Sequence, residues 1–298
     1  MSGRAARTLA QAKINLALRV LGQEKDGYHS IETVFLRLDL GDDVVVRATD
    51  GARSLRCEAM RGEPAEKNLA YRAAALFSQE TSWPLGFEIA IEKRIPIGGG
   101  LGGGSADAAA VLRILNSLSP NPVPSERLLA FAERLGSDVP FLTSDLVMAL
   151  SWGRGEKMLE LKPLPSRDVQ LFSPSYGIPT GDAYGALAAA RGTYPHRTPE
   201  LTAEMFADWD SAAANSVNDF ESVIRSGRAE IDDLLSGAER SGLFCRMSGS
   251  GSTVFRISGV GTQSAEPEGG PGPVVVPLDM RRITTRTAQS VVPVQLLD

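Results

Sequence analysis

From Gly98 to Gly104 the chain places glycine at six of seven consecutive positions, with Leu101 the single interruption. Each glycine raises the entropy cost of folding and adds no side chain to a core, so such a run reads as a demand for bare backbone. Upstream, Phe87 to Ile91 alternates like a strand, and downstream Ala106 to Leu118 carries an apolar stripe of helical period. Strand, glycine loop and helix in that order, with Ser105 as the expected helix cap, present free amides and the positive end of a helix dipole. That combination suits a phosphate. A loop that is merely flexible is the plainer alternative. The Walker pattern is excluded because Ser105 stands where its lysine should follow the last glycine. Gly98, Gly100 and Gly103 meet the dinucleotide spacing literally. However, Ser119-Pro120-Asn121-Pro122-Val123-Pro124 replaces the second strand and its acidic end, which argues against NAD.

Around this loop the sequence reads as α+β. Ile14, Leu16, Leu18 and Val20 alternate with Lys13, Asn15, Ala17 and Arg19 as a half-buried strand. Ile31–Leu38 and Val44–Ala48 follow as two more strands parted by a turn at Leu40-Gly41-Asp42, giving an opening meander. Asn68 stands as the cap of a helix through Phe77, and Ser125 as the cap of another ending at Gly136. Pro163, Pro165, Pro174 and Pro179 then break the chain, which sets a domain boundary near 160 and divides it into 1–160 and 161–298. Helices are expected around 182–191, 199–209, 215–226 and 228–241. A second glycine segment, Ser248-Gly249-Ser250-Gly251, precedes a strand at 253–257. The Gly- and Pro-rich residues 259–273 read as a mobile linker to a terminal pair of strands.

Lys+Arg number 31 against Asp+Glu 36, a net charge of −5 without basic clusters, which points away from nucleic acid and anionic membranes and toward a small-molecule partner. Cys57 and Cys245 are the only cysteines, too few for a disulfide framework. With no apolar run of membrane length and no signal-like start, the expected location is the cytoplasm.

Three sets of polar residues are candidates for chemistry. Lys13 and Asn15 lie two apart on one strand face, roughly 6 to 7 Å from each other, and suit a phosphoryl group and the hydroxyl that attacks it, or simply a solvated face. Asp138 follows a helix stop and precedes Val139-Pro140, where it could either act or simply cap the next helix. Tyr28 and His29 follow the Gly27 turn, which exposes an aromatic face and a hydrogen-bonding edge, the two parts needed to read a nucleobase, or they are simply a packed surface pair.

Taken with Pro96 and Asp107, the loop Pro-x-Gly-Gly-Gly-Leu-Gly-Gly-Gly-Ser-Ala-Asp resembles the GHMP kinase superfamily. Within it the chain is similar to the branch that phosphorylates a cytidine-diphosphate alcohol in non-mevalonate isoprenoid synthesis. The similarity rests also on Ala12–Leu16, Asp26–His29 with Glu32–Phe35, Lys67–Leu69, Ser137–Phe141 and Met247–Phe255. The resemblance implies a two-domain α+β kinase with its active site in the interdomain cleft, using ATP and Mg²⁺. Lys13 and Asp138 become the catalytic pair, Asp138 taking the proton of the substrate 2-hydroxyl or orienting it. ATP falls to Asn68, Lys93, Pro96, Gly98, Gly99, Gly100, Leu101, Gly102, Gly103, Gly104 and Ser105. The substrate falls to Asn15, Tyr28, His29, Thr180, Tyr184, Gly249, Ser250 and Gly251, with Tyr28 and Tyr184 on the two faces of the cytosine. No residue is singled out as a metal ligand, and the expected assembly is a monomer or weak homodimer. Asp107 stands where some relatives carry Asn. Its charge opposes a triphosphate unless a cation intervenes. The resemblance does not extend to the last 40 or so residues. A sugar, homoserine or mevalonate kinase offers no base for Tyr28-His29 to read, and a binder without catalysis has no need of both Lys13 and Asp138.

Overall fold

The computed structural model describes residues 3–191, 198–261 and 280–297. Two long antiparallel strands, β1 (Ala5–Gln23) and β2 (His29–Thr49), pair from Ala5↔Arg47 to Gln23↔His29. The expected turn at Leu40–Asp42 is absent. Gly41 lies in β2 opposite Gln11, where a Cβ would come within 2.6 Å of Leu9 Cγ and 2.8 Å of the Ala10 carbonyl oxygen. That glycine serves the close passage of two strands, which a turn signal in sequence cannot be told from. β1 is also buried on both faces rather than one. Ile14 and Leu16 enter the larger core, while Lys13 and Asn15 are buried on the other side.

β3 (Arg53–Cys57), β4 (Gly86–Glu92), β5 (Met148–Gly153) and β6 (Lys157–Glu160) extend this sheet, with β4 and β5 pairing different parts of β2 and β3 running parallel to β4. Four helices accompany it: α1 (Leu69–Thr81), α2 (Gly103–Leu118), α3 (Ser125–Glu133) and α4 (Val139–Thr143). Asn68 caps α1 as expected, its Oδ1 accepting from the Ala70 amide at 2.9 Å. Two other caps differ. α2 starts two residues before Ser105, with Gly102 at the cap in a left-handed conformation (φ 72°), and α3 includes Ser125 behind Pro124.

The second sheet has the order β10-β7-β9-β8, from β7 (Asp168–Ser173), β8 (Leu243–Met247), β9 (Val254–Gly261) and β10 (Arg281–Arg286), all antiparallel. With it go α5 (Thr180–Arg191), α6 (Trp209–Asn215), α7 (Glu221–Ile224) and α8 (Ala229–Arg240). The helices expected at 199–209 and 215–226 shrink to short pieces: the Glu200 and Leu201 amides donate to Glu32 Oε1 at 2.8 and 2.6 Å, and residues 216–219 are recruited by β1. The Leu18 amide donates to the Val217 carbonyl at 2.7 Å, and the Asp219 amide donates to the Leu18 carbonyl at 3.0 Å. Leu18 and Val20 accordingly join the smaller core with Phe220, Leu234 and Met247.

The chain passes from the first sheet to the second across residues 161–167, and β11 (Gln295–Leu297) returns to pair with β1. The two last strands therefore join different sheets rather than each other. Residues 259–261 belong to β9, and the remainder of the expected linker, from 262, lies outside the described residues.

Candidate functional site

The glycine loop runs from the end of β4 to α2 at the junction of the two sheets, and hydrogen bonds tie it to both. The Lys13 amide donates to the Leu101 carbonyl at 3.0 Å. From the other side, the Thr253 amide donates to the Gly99 carbonyl at 3.1 Å and the Ser248 hydroxyl to the Gly100 carbonyl at 3.0 Å. Gly100 has φ 78°, and a Cβ there would lie 2.1 Å from the Ser248 carbonyl oxygen, so no larger residue allows the two glycine segments to meet. Asn218, which sequence reasoning missed, fixes the second segment by donating to the carbonyls of Met247 and Gly249 at 2.7 and 2.9 Å.

These contacts frame a cleft of about 670 Å³. Every residue named from sequence lines it except Gly251, which turns back to donate its amide to the Ser248 carbonyl and whose Cβ position faces Met247 Sδ. Lys13 is 3% exposed; its Nζ donates to Asn15 Oδ1 at 2.7 Å and lies 3.2 Å from Asp138 Oδ2. Asn15 in turn donates to Thr33 Oγ1 at 2.8 Å. Asp138 occupies the cap position of α4, but its side chain makes no capping bond, so the alternative reading of that carboxylate does not hold. A cation, an amide and a carboxylate thus converge beside the first turn of α2.

Behind that turn, Lys93 Nζ donates to Asp42 Oδ2 at 2.5 Å and Asp107 Oδ2 at 2.7 Å. Burial works against the Lys93 charge, but Asp107 and Asp42 outweigh it and raise its pKa. Burial pushes the Asp107 carboxyl up to about 7 against the pull of Lys93. Its Oδ1 is buried and has no hydrogen-bond partner among the described residues. The sequence neighbours of Asp42 read as a turn, and no local signal marks it as part of this cluster.

The opposite end of the cleft is aromatic. The His29 and Tyr184 rings stack at 3.9 Å between centroids with 14° between planes, and burial lowers the His29 pKa. Tyr28 is 56% exposed, with the Arg154 guanidinium 4.0 Å from its ring centroid. Thr180 Oγ1 lies 3.3 Å from Ser250 Oγ, at the hydrogen-bond distance that joins α5 to the second glycine segment. Arg154 lies on the turn after β5 and is remote in sequence from every motif, so only the fold brings it here. A further cavity of about 250 Å³, lined by Cys57, Arg61 and Pro64 among others, shares Met60 and Asn68 with the cleft.

Among the described residues no helix is long and apolar enough to cross a membrane, and no cluster of three or more metal-binding side chains is present. The GHMP kinase N-terminal domain model matches residues 68–145, and the GHMP kinase C-terminal model matches residues 199–265. A 4-diphosphocytidyl-2-C-methyl-D-erythritol kinase from Paraburkholderia phytofirmans is 37% identical over 247 residues, 83% of each chain. One from Clostridium botulinum is 35% identical over 83% of this chain and 88% of its own. Among solved structures, a 4-(cytidine 5'-diphospho)-2C-methyl-D-erythritol kinase superposes with a TM-score of 0.72 at 33% identity, covering 94% of this chain and 98% of that one. A homoserine kinase from Cytophaga hutchinsonii, 18% identical with a TM-score of 0.68 over 98% and 97% of the two chains, shares the fold.

Proposed function

The chain belongs to the 4-diphosphocytidyl-2-C-methyl-D-erythritol kinase family of GHMP kinases, and from that premise we propose that it transfers the γ-phosphoryl group of ATP to the 2-hydroxyl of 4-diphosphocytidyl-2-C-methyl-D-erythritol. The observation that carries this reading is the buried Lys13 ammonium 3.2 Å from the Asp138 carboxylate, at the glycine-loop end of a cleft whose other end is aromatic. The substrate hydroxyl enters between Asp138 and Asn15. Its oxygen forms the new bond to phosphorus as the bond to the bridging β–γ oxygen breaks, and its proton passes to the Asp138 carboxylate. Lys13 neutralises charge on the transferring group from a dry position where it needs no reorganisation.

ATP phosphates lie on the amides of residues 98–105, with Lys93 beneath the first turn of α2 and the adenosine directed toward Asn68 and Met60. The buried, unpartnered Asp107 Oδ1 fits a divalent cation held with the nucleotide, since magnesium is usually bound by one or two carboxylates together with phosphate oxygens and water. Asp107 would hold it, and the cation would neutralise phosphate charge. Tyr28, His29 and Tyr184 receive the cytosine, and Thr180, Gly249 and Ser250 the diphosphate. This puts the catalytic cleft between a first domain, 1–160, and a second, 161–298, whose last strand returns to the first sheet.

An ADP-release assay across the cytidine-diphosphate methylerythritol, mevalonate, homoserine and galactose tests the assignment. Turnover is expected on the first alone. Equal turnover on a substrate without a base would remove the base pocket from the reading.

A further inference from the structure

The base end of the cleft contains a cation that no step of the phosphoryl transfer uses. Arg154 sits between Gly153 and Gly155, both at positive φ, on the turn that joins β5 to β6. Its guanidinium is gripped from the facing turn, between β1 and β2. Nη2 and Nε donate to Glu24 Oε2 at 2.6 and 3.2 Å, and Nη2 donates also to Asp26. Its own amide donates to Glu156 Oε2 at 2.6 Å. Those two acidic partners raise its pKa, and Arg154 is the leading cause of the lowered pKa of Asp26. The facing turn is itself closed by the Glu24 amide on the Tyr28 carbonyl at 2.7 Å and the Tyr28 amide on Asp26 Oδ1 at 3.2 Å. Glu24, Asp26 and Tyr28 thus form one unit, with the guanidinium carbon over the Tyr28 ring, 4.0 Å from its centroid.

We propose that Arg154 is a positioning residue for nucleobase recognition, holding Tyr28 by a cation–π contact on one face so that the opposite face is presented to the base. This rests on the cytidine reading of the cleft above and adds to it the residue that sets the ring. Two carboxylates engage Nε and Nη2 of the guanidinium, which turns that side of it toward the facing turn. Its charge is spent on locking one turn against another. Arginine suits this role better than lysine because a planar, delocalised cation both stacks and forks, which an ammonium cannot do. Tyr28 is more than half exposed, and among the described residues the Arg154 guanidinium lies over its ring.

The test is a double-mutant cycle on the full chain, with KM measured separately for the cytidine substrate and for ATP. Arg154→Ala should raise the cytidine-substrate KM about two- to fivefold, the scale of an exposed cation–π contact, and lower kcat by less. Arg154→Lys keeps the charge and the solubility and should show most of the same rise. In a Tyr28→Ala background, Arg154→Ala should add almost nothing, because the ring through which it acts is gone. Three results overturn the proposal: an unchanged KM in Arg154→Ala, a lowered KM, which would make the guanidinium an obstruction on the ring, or an undiminished effect in the Tyr28→Ala background, which would mean direct contact with substrate. If Tyr28→Ala itself leaves the cytidine KM unmoved, the base-pocket reading fails instead, so the two failures are told apart.

Discussion

The two ends of the cleft are built on opposite principles. At the glycine-loop end Lys13, Lys93, Asp42 and Asp107 are all buried or nearly so, joined to carboxylates or amides, and roofed by backbone that is itself hydrogen-bonded to both sheets. At the aromatic end Tyr28 is open, and Arg154 and Asp26 are substantially exposed. Charge that must act on a transition state gains from a dry, fixed setting, where electrostatic interactions are stronger. Selection of a base needs a flat ring at the right angle, which exposed residues can supply by gripping one another. The cost of each scheme differs accordingly: buried charge must be compensated, whereas an exposed grip contributes little per contact.

If that contrast holds, the largest effects belong to the buried end. Lys13→Met and Asp138→Asn should each lower kcat about 10²-fold or more, and the double variant should lose far less than the product, because the two act on one transfer. Unchanged turnover in either variant would take that residue out of the chemistry.

Next in size is the base pocket. Tyr28→Ala should raise the cytidine-substrate KM about five- to a hundredfold, the range for one stacked base, while the ATP KM hardly moves. A parallel rise for both substrates would mean that the ring shapes the fold and the two ends are not independent.

The glycine loop sharpens the comparison from the other side. A Cβ at Gly103 would press on Ile95 at 3.0 Å, and Gly102 is left-handed, so substitution at either strains the fold itself. At Gly104 a Cβ meets nothing within 4 Å. Gly104→Val should therefore weaken ATP binding by about tenfold or more through the approach of phosphate to backbone. The ligand-free melting temperature should stay close to that of the parent, and calorimetry with ATP alone reads the difference. Retained affinity would place the phosphates elsewhere.

The smallest effect is electrostatic. Asp107 has a carboxyl pKa raised to about 7 in the fold, above its ordinary value of 3.8. A raised carboxyl binds more protons folded than unfolded between those values, so its contribution to stability declines as pH rises from about 4 to about 7 and is lowest above that. Asp107→Asn should gain stability relative to the parent chain at pH 8 compared with pH 5 in denaturant titrations without nucleotide. A difference between the two chains that is flat with pH would show that Lys93 compensates the charge fully.

Much of this site was legible because its motifs are local. The glycine run, Lys13 beside Asn15, and Tyr28 beside His29 each declare a chemistry through a spacing that strand, loop or turn geometry converts directly into neighbours. Elements were misread where the signal was ambiguous by nature. Gly41 looks like a turn and is a strand crossing. Residues 216–219 read as helix but leave it, because Val217 and Asp219 form backbone hydrogen bonds with Leu18 of β1. Both strands at the C-terminal end were foreseen as strands, yet their partners were not, since pairing is decided by which sheet edge is left open.

What the sequence determined alone is the class of chemistry, a kinase's, through a glycine loop opening a helix, a lysine on a strand, and an aromatic pair on a turn. Tertiary structure decided which distant groups meet them. Asp138 reaches Lys13 across 125 residues, Asp42 and Asp107 close on Lys93, and Arg154 lies on Tyr28. Such meetings depend on packing between elements, a property of the whole chain that no local pattern encodes, and electrostatics acts through the distances that this packing sets.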